Sequence, residues 1–213
     1  MRKFATIDCE TDPFLHNRIP TPFIWGFYSD GFYKQFYSTN LLIEYIKEFD
    51  GVIYAHNGGK FDFHFLLDAL EPEQEIMIIN GRLAKFKIGK AEMRDSYLLL
   101  PVPLAAYKKD EFDYTKLESR NREKFKAEIE EYLFNDCKYL YDIIQRSYQD
   151  YGVHLTLAGS AFSFWHKNYS QLDSVPRSPK NYFKFFRPYY YGGRVECFKK
   201  GIISTPFKYP IPI

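Results

Sequence analysis

The chain has 213 residues, of which 46% are hydrophobic and 26% are charged, a profile typical of a soluble globular protein. Its 29 basic and 27 acidic residues give a net charge of +2, which is too balanced for phosphate binding over the whole surface. The three cysteines are far apart in the sequence, so a disulfide framework and a zinc site are excluded. The first residues predict a strand, and no stretch is long enough to cross a bilayer. We therefore expect a cytoplasmic monomer without a membrane partner.

Short strands and helices are predicted in alternation over the first 100 residues. Asp30-Gly31 and Asn80-Gly81 are strong hairpin signals, and each joins two apolar segments. The segment 40–49 has the spacing of apolar residues that a helix requires. The predicted strands are residues 3–9, 23–28, 32–37, 51–56, 76–79, 83–88 and 93–95, and the predicted helices are 40–49 and 61–70.

The second half of the chain predicts helices followed by a segment of different character. Residues 101–122 contain prolines and many charges and predict a loop, after which a long helix is expected over 123–149 and another from about Ala158. From about residue 170 prolines recur, which is typical of an extended connector. Strands that alternate with helices, together with two hairpins, indicate a mixed α/β sheet with helices on its faces. We therefore expect one domain over 1–169 and a connector over 170–213.

Asp8 and Glu10 lie two residues apart on the first predicted strand. Their side chains face the same side of that strand and can converge on one cation. Carboxylate oxygens are the hard ligands that Mg²⁺ and Mn²⁺ prefer. The end of a strand that enters a polar loop would show the same pattern, so the pair alone leaves both interpretations open.

Asp136 falls within the apolar stripe of the long predicted helix. A carboxylate there would be partly desolvated, which is unfavourable unless it is paired or binds a metal. Tyr132 lies one turn earlier on the same face, where its hydroxyl could orient a water molecule. A core tyrosine beside an aspartate that bonds to a neighbouring group is the alternative interpretation.

The segment 56–62 (HNGGKFD) predicts a loop between a strand and a helix. Its two glycines would let a nucleic-acid strand approach the backbone closely. Asp62 would lie in the first helical turn, where the helix dipole also favours an acid. Together with Asp8, Glu10 and Asp136, it could hold two divalent ions about 3.5–4 Å apart, the arrangement used for phosphodiester hydrolysis. The glycine-rich motifs that bind nucleoside triphosphates or dinucleotides are missing from the sequence.

Three segments in this order resemble the exonuclease motifs of family B DNA polymerases, which belong to the tyrosine subtype of the DEDD exonuclease superfamily. They are 6–11 (TIDCET), 57–62 (NGGKFD) and 132–136 (YLFND). Two further segments, 109–114 (KDEFDY) and 190–193 (YYGG), resemble motifs of the protein-primed branch of that family, found in phages and linear plasmids. The resemblance covers residues from about 3 to 200 and implies a ribonuclease H-like fold, a mixed β-sheet flanked by helices.

The resemblance implies a proofreading-type 3′→5′ exonuclease that uses two Mg²⁺ or Mn²⁺ ions to hydrolyse the 3′ end of single-stranded or frayed DNA. It implies that Tyr132 orients the attacking water and that Lys109 contacts the scissile phosphate or positions that water. The implied metal ligands are Asp8, Glu10, Asp62 and Asp136. The implied contacts to DNA are Thr11, His56, Asn57, Phe61, Phe65, Ser96, Tyr97, Tyr190, Gly192 and Gly193.

Several alternatives stay open at this level. Lys108 could match the family lysine instead of Lys109, a core role explains Phe65 equally well, and position 97 is Tyr where the family pattern has Leu. The polymerase palm motifs are missing from this sequence, which leaves an excised domain, a split subunit or a stand-alone enzyme as interpretations. The competing function is a catalytically idle remnant that binds DNA or a polymerase partner. An exonuclease that acts on RNA is a third alternative.

Overall fold

A computed structural model of the chain describes residues 2–13, 19–107, 111–171 and 179–189. The chain divides into two compact units, Met1–Gln171 and Leu172–Ile213. The predicted contacts at Lys109, Tyr190, Gly192 and Gly193 lie outside the described residues.

Within the described residues of the first unit, seven strands form one mixed sheet. Its order is β3-β2-β1-β4-β7-β6-β5, in which β1 pairs with β4 and β4 with β7 in parallel, while the other neighbours are antiparallel. The central position of β1 buries it on both faces, in agreement with its apolar sequence. The strands are β1 Phe4–Thr11, β2 Pro22–Ser29, β3 Phe32–Phe36, β4 Val52–Ala55, β5 Met77–Ile79, β6 Arg82–Ile88 and β7 Ala91–Asp95.

Helices flank this sheet, which confirms the predicted α/β architecture. The first unit contains α1 (Thr39–Lys47), α2 (Lys126–Tyr151) and α3 (Leu157–Tyr169). In the second unit, α4 spans Lys180–Phe186 and is followed by a 3₁₀ turn, Arg187–Tyr189. No helix in the described part of the chain combines the length and the hydrophobicity needed to cross a bilayer.

Both predicted hairpins are confirmed. Asp30 and Gly31 have φ values of 48° and 81° and connect β2 to β3, whereas Asn80 and Gly81 have φ values of 50° and 70° and connect β5 to β6. Positive φ at both central residues is the conformation of a type I′ turn, and Asp-Gly and Asn-Gly adopt it readily. These local signals therefore fix the register of two strand pairs.

Three predictions of secondary structure need correction. The helix predicted over 61–70 is a 3₁₀ segment, Asp62–Ala69, and the loop predicted over 101–122 contains two 3₁₀ turns, Leu104–Ala106 and Tyr114–Leu117. The extended connector predicted from about residue 170 is wrong for residues 180–186, which are helical. Pro179 precedes that helix, where the missing N–H removes no helical hydrogen bond.

The two faces of the sheet cover different cores because side chains alternate along β1. Ala5 and Ile7 belong to the core beneath α1 and the segment 62–69. Phe4 belongs to the core beneath α2, and the hydroxyl of Thr6 donates a 2.7 Å hydrogen bond to the carbonyl oxygen of Cys137 in that helix. The same alternation turns Asp8 and Glu10 toward α2, where the sheet ends in a cleft.

Helix α2 approaches the sheet closely at Gly26, which pairs with Asp8 across β1 and β2. A Cβ atom at this glycine would lie 2.8 Å from Cys137 Sγ and 3.1 Å from Leu133 Cγ. Atoms at those separations overlap, so a side chain at position 26 would force the helix away from the strand. The missing side chain therefore sets how near α2 lies to the acidic end of β1.

Gly26→Ala is expected to lower the free energy of unfolding by about 1–3 kcal/mol, because overpacking at a rigid contact displaces neighbouring atoms. Chemical denaturation measures this loss. Gly159→Ala in α3 is the matched control, since its nearest contact, with Thr156 Oγ1, would be an ordinary 3.4 Å.

The contact with Cys137 can be tested by a double substitution. Because Cys137→Ala removes the sulfur that a methyl group at position 26 would meet, the double variant should lose less stability than the two single losses added together. Strict additivity would show that Cys137 does not limit the approach of α2.

Candidate active site

A cleft of about 420 Å³ opens where β1 ends, and all four predicted carboxylates line it. Some of the polar and aromatic residues that are expected to hold a DNA 3′ end also line this cleft. The structure brings together Asp8, Glu10, Thr11, His56, Asn57, Phe61, Asp62, Tyr132 and Asp136, and adds Cys9, Asp12, Pro13, Tyr114 and Leu117, which the sequence did not single out.

Three elements supply the carboxylates. Asp8 and Glu10 come from β1. Asp62 is the first residue of the 3₁₀ segment that follows the β4 loop, residues 56–61, and Asp136 comes from the middle of α2. Because β1 and β4 are parallel neighbours, their carboxyl ends meet at one edge of the sheet. Tyr132 lies one helical turn before Asp136 and faces the same cleft.

The acidic side chains are largely withdrawn from solvent. Glu10 is 6% exposed, Asp62 is 3% exposed and Asp136 is 7% exposed. Burial raises the pKa of Asp62 to about 6, although hydrogen bonds from Cys9 act in the opposite direction. Asp62 Oδ1 is buried and has no hydrogen-bond partner among the described residues. A buried oxygen of this kind is unfavourable unless a ligand completes its coordination.

Cys9 lines the cleft, and Cys137 follows Asp136 in α2; neither forms a disulfide within the described residues. Burial raises the pKa of both thiols well above the usual value, and the neighbouring carboxylates raise it further. The thiols are therefore neutral, and that of Cys9 donates a hydrogen bond to the carboxylate of Asp62. Neither has the thiolate character of a nucleophile or a metal ligand.

Tyr132 is held by two aromatic residues from the preceding segment. The ring of Phe112 stacks on it with centroids 4.2 Å apart, and the hydroxyl of Tyr114 lies 3.3 Å from its own hydroxyl. Burial, that hydrogen bond and the charge of Asp136 raise the pKa of Tyr132. Its side chain is therefore a fixed, neutral O–H group at the cleft wall.

Gly58 and Gly59, which follow β4, pack against protein, so the fold itself requires glycine at both positions; the close approach of nucleic acid to this backbone stays a prediction. A Cβ atom on Gly58 would lie 2.5 Å from Ala55 Cβ, and one on Gly59 would lie 2.3 Å from the carbonyl oxygen of Leu83. The loop is thus pressed onto the sheet. This packing places Asn57 and Asp62 at the cleft.

Ser96 and Phe65 are not among the residues that line the cleft. Ser96 is fully buried, and its hydroxyl donates to the carbonyl oxygen of Ala55 at 3.2 Å and lies 3.0 Å from His56 Nδ1. Phe65 packs edge-on against Trp25 and Phe61, as the core interpretation of this residue predicts.

Tyr97 lies beside His56, with ring centroids 5.8 Å apart, and lines a second cavity of about 520 Å³. Its ring covers the guanidinium of Arg82 at 4.4 Å. Lys60 also lines this second cavity. The cavity could not be predicted from the sequence, because its walls come from separate segments of the chain.

The donor chemistry of the cleft fits a hard divalent cation. Four carboxylates, one with a buried oxygen that lacks a hydrogen bond, are the ligand type that Mg²⁺ and Mn²⁺ prefer. As the side chains stand, no three acidic, histidine or cysteine residues in the described ranges are close enough together to share one ion.

Comparison with solved structures identifies the fold of the chain. The chain matches phi29 DNA polymerase complexed with primer-template DNA and incoming nucleotides with a TM-score of 0.70 and 17% identity, over 91% of this chain and 40% of that one. It also matches the family B DNA polymerase of the archaeon Pyrobaculum calidifontis with a TM-score of 0.54 and 12% identity, over 84% and 32% of the two chains. These matches confirm the ribonuclease H-like α/β fold.

Sequence comparison gives the family. The family model described as DNA polymerase type B, organellar and viral, matches residues 101–209. The DNA-directed DNA polymerase of Enterobacteria phage PRD1 is 43% identical over 212 residues, 97% of this chain and 37% of that protein. The chain therefore belongs to the organellar and viral type B DNA polymerases, which confirms the family resemblance, and it spans 37% of the length of this relative.

Asp62→Asn is expected to raise the free energy of unfolding by about 1–3 kcal/mol at about pH 8 in the presence of a chelator. The folded-state pKa of about 6 lies above the ordinary value of 3.8. The stabilising contribution of the protonated carboxyl is therefore complete below about pH 4 and is lost as the pH rises through 6.

Chemical denaturation at about pH 8 and at about pH 4 measures the free energy of unfolding of Asp62→Asn and of the wild type. The gain in stability from the substitution should vanish near pH 4. Asp142→Asn is the control, because Asp142 is an exposed residue of α2 that pairs with Lys138 and should show no gain at either pH. An equal gain from Asp62→Asn at both pH values would contradict a burial cost of the ionised carboxylate.

Proposed function

We propose that the chain is a metal-dependent 3′→5′ exonuclease of the proofreading type, which hydrolyses phosphodiester bonds at the 3′ end of single-stranded or frayed DNA. The observation that carries the proposal is the single cleft that Asp8, Glu10, Asp62, Asp136 and Tyr132 share. Membership of the type B DNA polymerases supports DNA as the substrate.

The four carboxylates are the residues that would hold two Mg²⁺ or Mn²⁺ ions. When bound, such a pair supplies an activated water and positive charge for the leaving 3′-oxygen. The burial of Glu10, Asp62 and Asp136 favours this assignment, since carboxylates withdrawn from water repel one another until a counter-charge is present.

Tyr132 acts on the attacking water in this proposal. Its raised pKa keeps the phenol protonated, so its hydroxyl can donate or accept a hydrogen bond but carries no charge. Stacking by Phe112 holds the ring plane, and the hydroxyl of Tyr114 shares a 3.3 Å hydrogen bond with that of Tyr132, in which either oxygen can donate. A fixed group of this kind lowers the entropic barrier to attack because the water is oriented in advance.

The other wall of the cleft would receive the 3′ end of the DNA. Thr11, His56 and Asn57 offer polar groups there, and the partly exposed ring of Phe61 offers a face on which a base can stack. Phi29 polymerase, which shares the fold, has been solved in complex with single-stranded DNA. That complex supports single-stranded DNA as the partner proposed for this chain.

Residues 1–169 form the exonuclease domain in this proposal, and 170–213 form a connector toward a polymerase domain or subunit. The roles expected for Lys109 in catalysis and for Tyr190, Gly192 and Gly193 in DNA contact stay predictions. The same holds for Ser96, Tyr97 and Phe65, which would act from positions beside the cleft and not from its lining.

The test of the function uses 5′-labelled single-stranded DNA, which a 3′→5′ exonuclease shortens one nucleotide at a time. We expect shortening with Mg²⁺ or Mn²⁺ and none with EDTA. Asp8→Ala and Asp136→Ala should each slow it by at least about a thousandfold, because metal-assisted charge stabilisation is worth several kcal/mol. Asp142→Ala, an exposed change on the same helix as Asp136, should retain full activity.

Two results of this assay would contradict the proposal. Wild-type activity in both Asp8→Ala and Asp136→Ala would show that the site is elsewhere. DNA binding without any loss of nucleotides, in Mg²⁺ and in Mn²⁺, would favour the idle binding remnant.

Tyr132→Phe is expected to lower kcat about 10- to 100-fold, because one hydrogen bond to the attacking water is lost. The affinity for Mn²⁺, measured by calorimetry, should not change, since the carboxylates remain. Tyr151→Phe, an exposed change at the end of α2, serves as the control. Unchanged turnover in Tyr132→Phe would remove the water-orienting role.

A further inference from the structure

A buried ion pair lies directly behind the cleft. Arg82, the first residue of β6, donates through Nη1 to Asp95 Oδ2 at 2.6 Å, and the two side chains are 9% and 0% exposed. The other oxygen of Asp95 accepts the backbone N–H of Tyr97 at 3.0 Å. The ring of Tyr97 covers the guanidinium at 4.4 Å. Arg82 is therefore held on two sides and has one fixed orientation.

The same Arg82 nitrogen reaches Asn57, which lines the cleft. Nη1 donates to Asn57 Oδ1 at 3.0 Å. The backbone of Asn57 is left-handed, with φ 59°, and a Cβ atom on Gly59 in the same loop would lie 2.7 Å from Asp95 Oδ2. The loop thus lies against the ion pair, and the side chain of Asn57 is joined to Arg82 by this hydrogen bond.

A guanidinium has N–H donors and no acceptor, so the asparagine must turn its carbonyl oxygen toward Arg82. The amide N–H₂ group is then the end of Asn57 that a ligand in the cleft can use. Without Arg82 the amide could rotate by half a turn and offer an oxygen instead, which a phosphate would repel. The arginine thereby decides whether Asn57 is a donor or an acceptor.

We propose that Arg82 is a positioning residue, which orients the amide of Asn57 so that its N–H₂ group donates to an oxygen of the DNA strand in the cleft. Asp95 holds Arg82 in place. This inference rests on the proposed function only in taking a DNA strand as the ligand, since it requires no hydrolysis. A buried ion pair adds little net stability compared with apolar residues of the same volume, so stability alone does not account for it.

Arg82 and Asn57 are tested by a double-substitution cycle in the full chain. The variants are Arg82→Lys, which keeps a charge beside Asp95 but shortens the donor, Asn57→Ala and the double variant. Affinity for a fluorescent single-stranded oligonucleotide is measured in EDTA, so that no DNA is degraded. We expect each single change to weaken binding about tenfold and the double change to weaken it no more than Asn57→Ala alone.

Arg94→Lys is the matched control. Arg94 lies on β7 in a comparably buried ion pair with Glu92, and side-chain exposures there are 11% and 9%. Because that pair does not touch Asn57, Arg94→Lys should leave DNA affinity unchanged and should combine additively with Asn57→Ala. Additive losses for Arg82→Lys and Asn57→Ala, or no loss in Arg82→Lys, would overturn the inference.

Asn57→Asp provides an independent arm if Arg82→Lys fails to fold. It keeps an oxygen for Arg82 but replaces the N–H₂ donor by a second oxygen and adds a negative charge, so DNA affinity should fall at least about tenfold. Wild-type affinity in this variant would overturn the donor assignment. The failure of one proposal can be told from the failure of the other. If the oligonucleotide binds with the expected coupling but is not shortened in Mg²⁺, only the proposed exonuclease activity is contradicted. A wild-type chain that does not bind the oligonucleotide overturns the role of Arg82.

Discussion

The short distance between α2 and the strand pair β1–β2 is the constraint on which the cleft depends. At Gly26 the helix side chains fill the space that a Cβ atom would need, and Thr6 ties the helix backbone to β1. This contact brings a helix and a strand that are far apart in sequence to one end of the sheet. Asp8 and Asp136 line the same cleft because neither element can move away independently.

Burial of the acidic side chains lowers the stability of the folded chain but increases the attraction of the cleft for cations. Glu10, Asp62 and Asp136 are withdrawn from water, and the raised pKa of Asp62 reflects a folded state that disfavours its charge. The aromatic and sulfur-containing side chains beside these acids are uncharged, so they do not neutralise the carboxylates. A cleft with these properties favours cations, and the sheet and α2 together supply the stability that the acidic cluster removes.

The sequence predicted the parts of the fold that local signals determine. Asp30-Gly31 and Asn80-Gly81 form turns through their own backbone preferences, and the acids of β1 share a face because strand geometry requires it. The Arg82 network was not predictable, because its partners lie 13 and 25 residues away and meet only in the folded sheet. The helix over 180–186 was hidden by the prolines on either side of it, since proline marks helix starts as well as extended chain.

The hydrogen bond from Thr6 to Cys137 joins residues 131 positions apart, and this separation has a kinetic consequence. Contacts between such distant segments form late, since a long loop must close before they contribute any stability. The strands between them can pair earlier through their hairpins. Local unfolding of α2 would therefore remove Tyr132 and Asp136 from the wall of the cleft while the strand pairs of the sheet stayed intact.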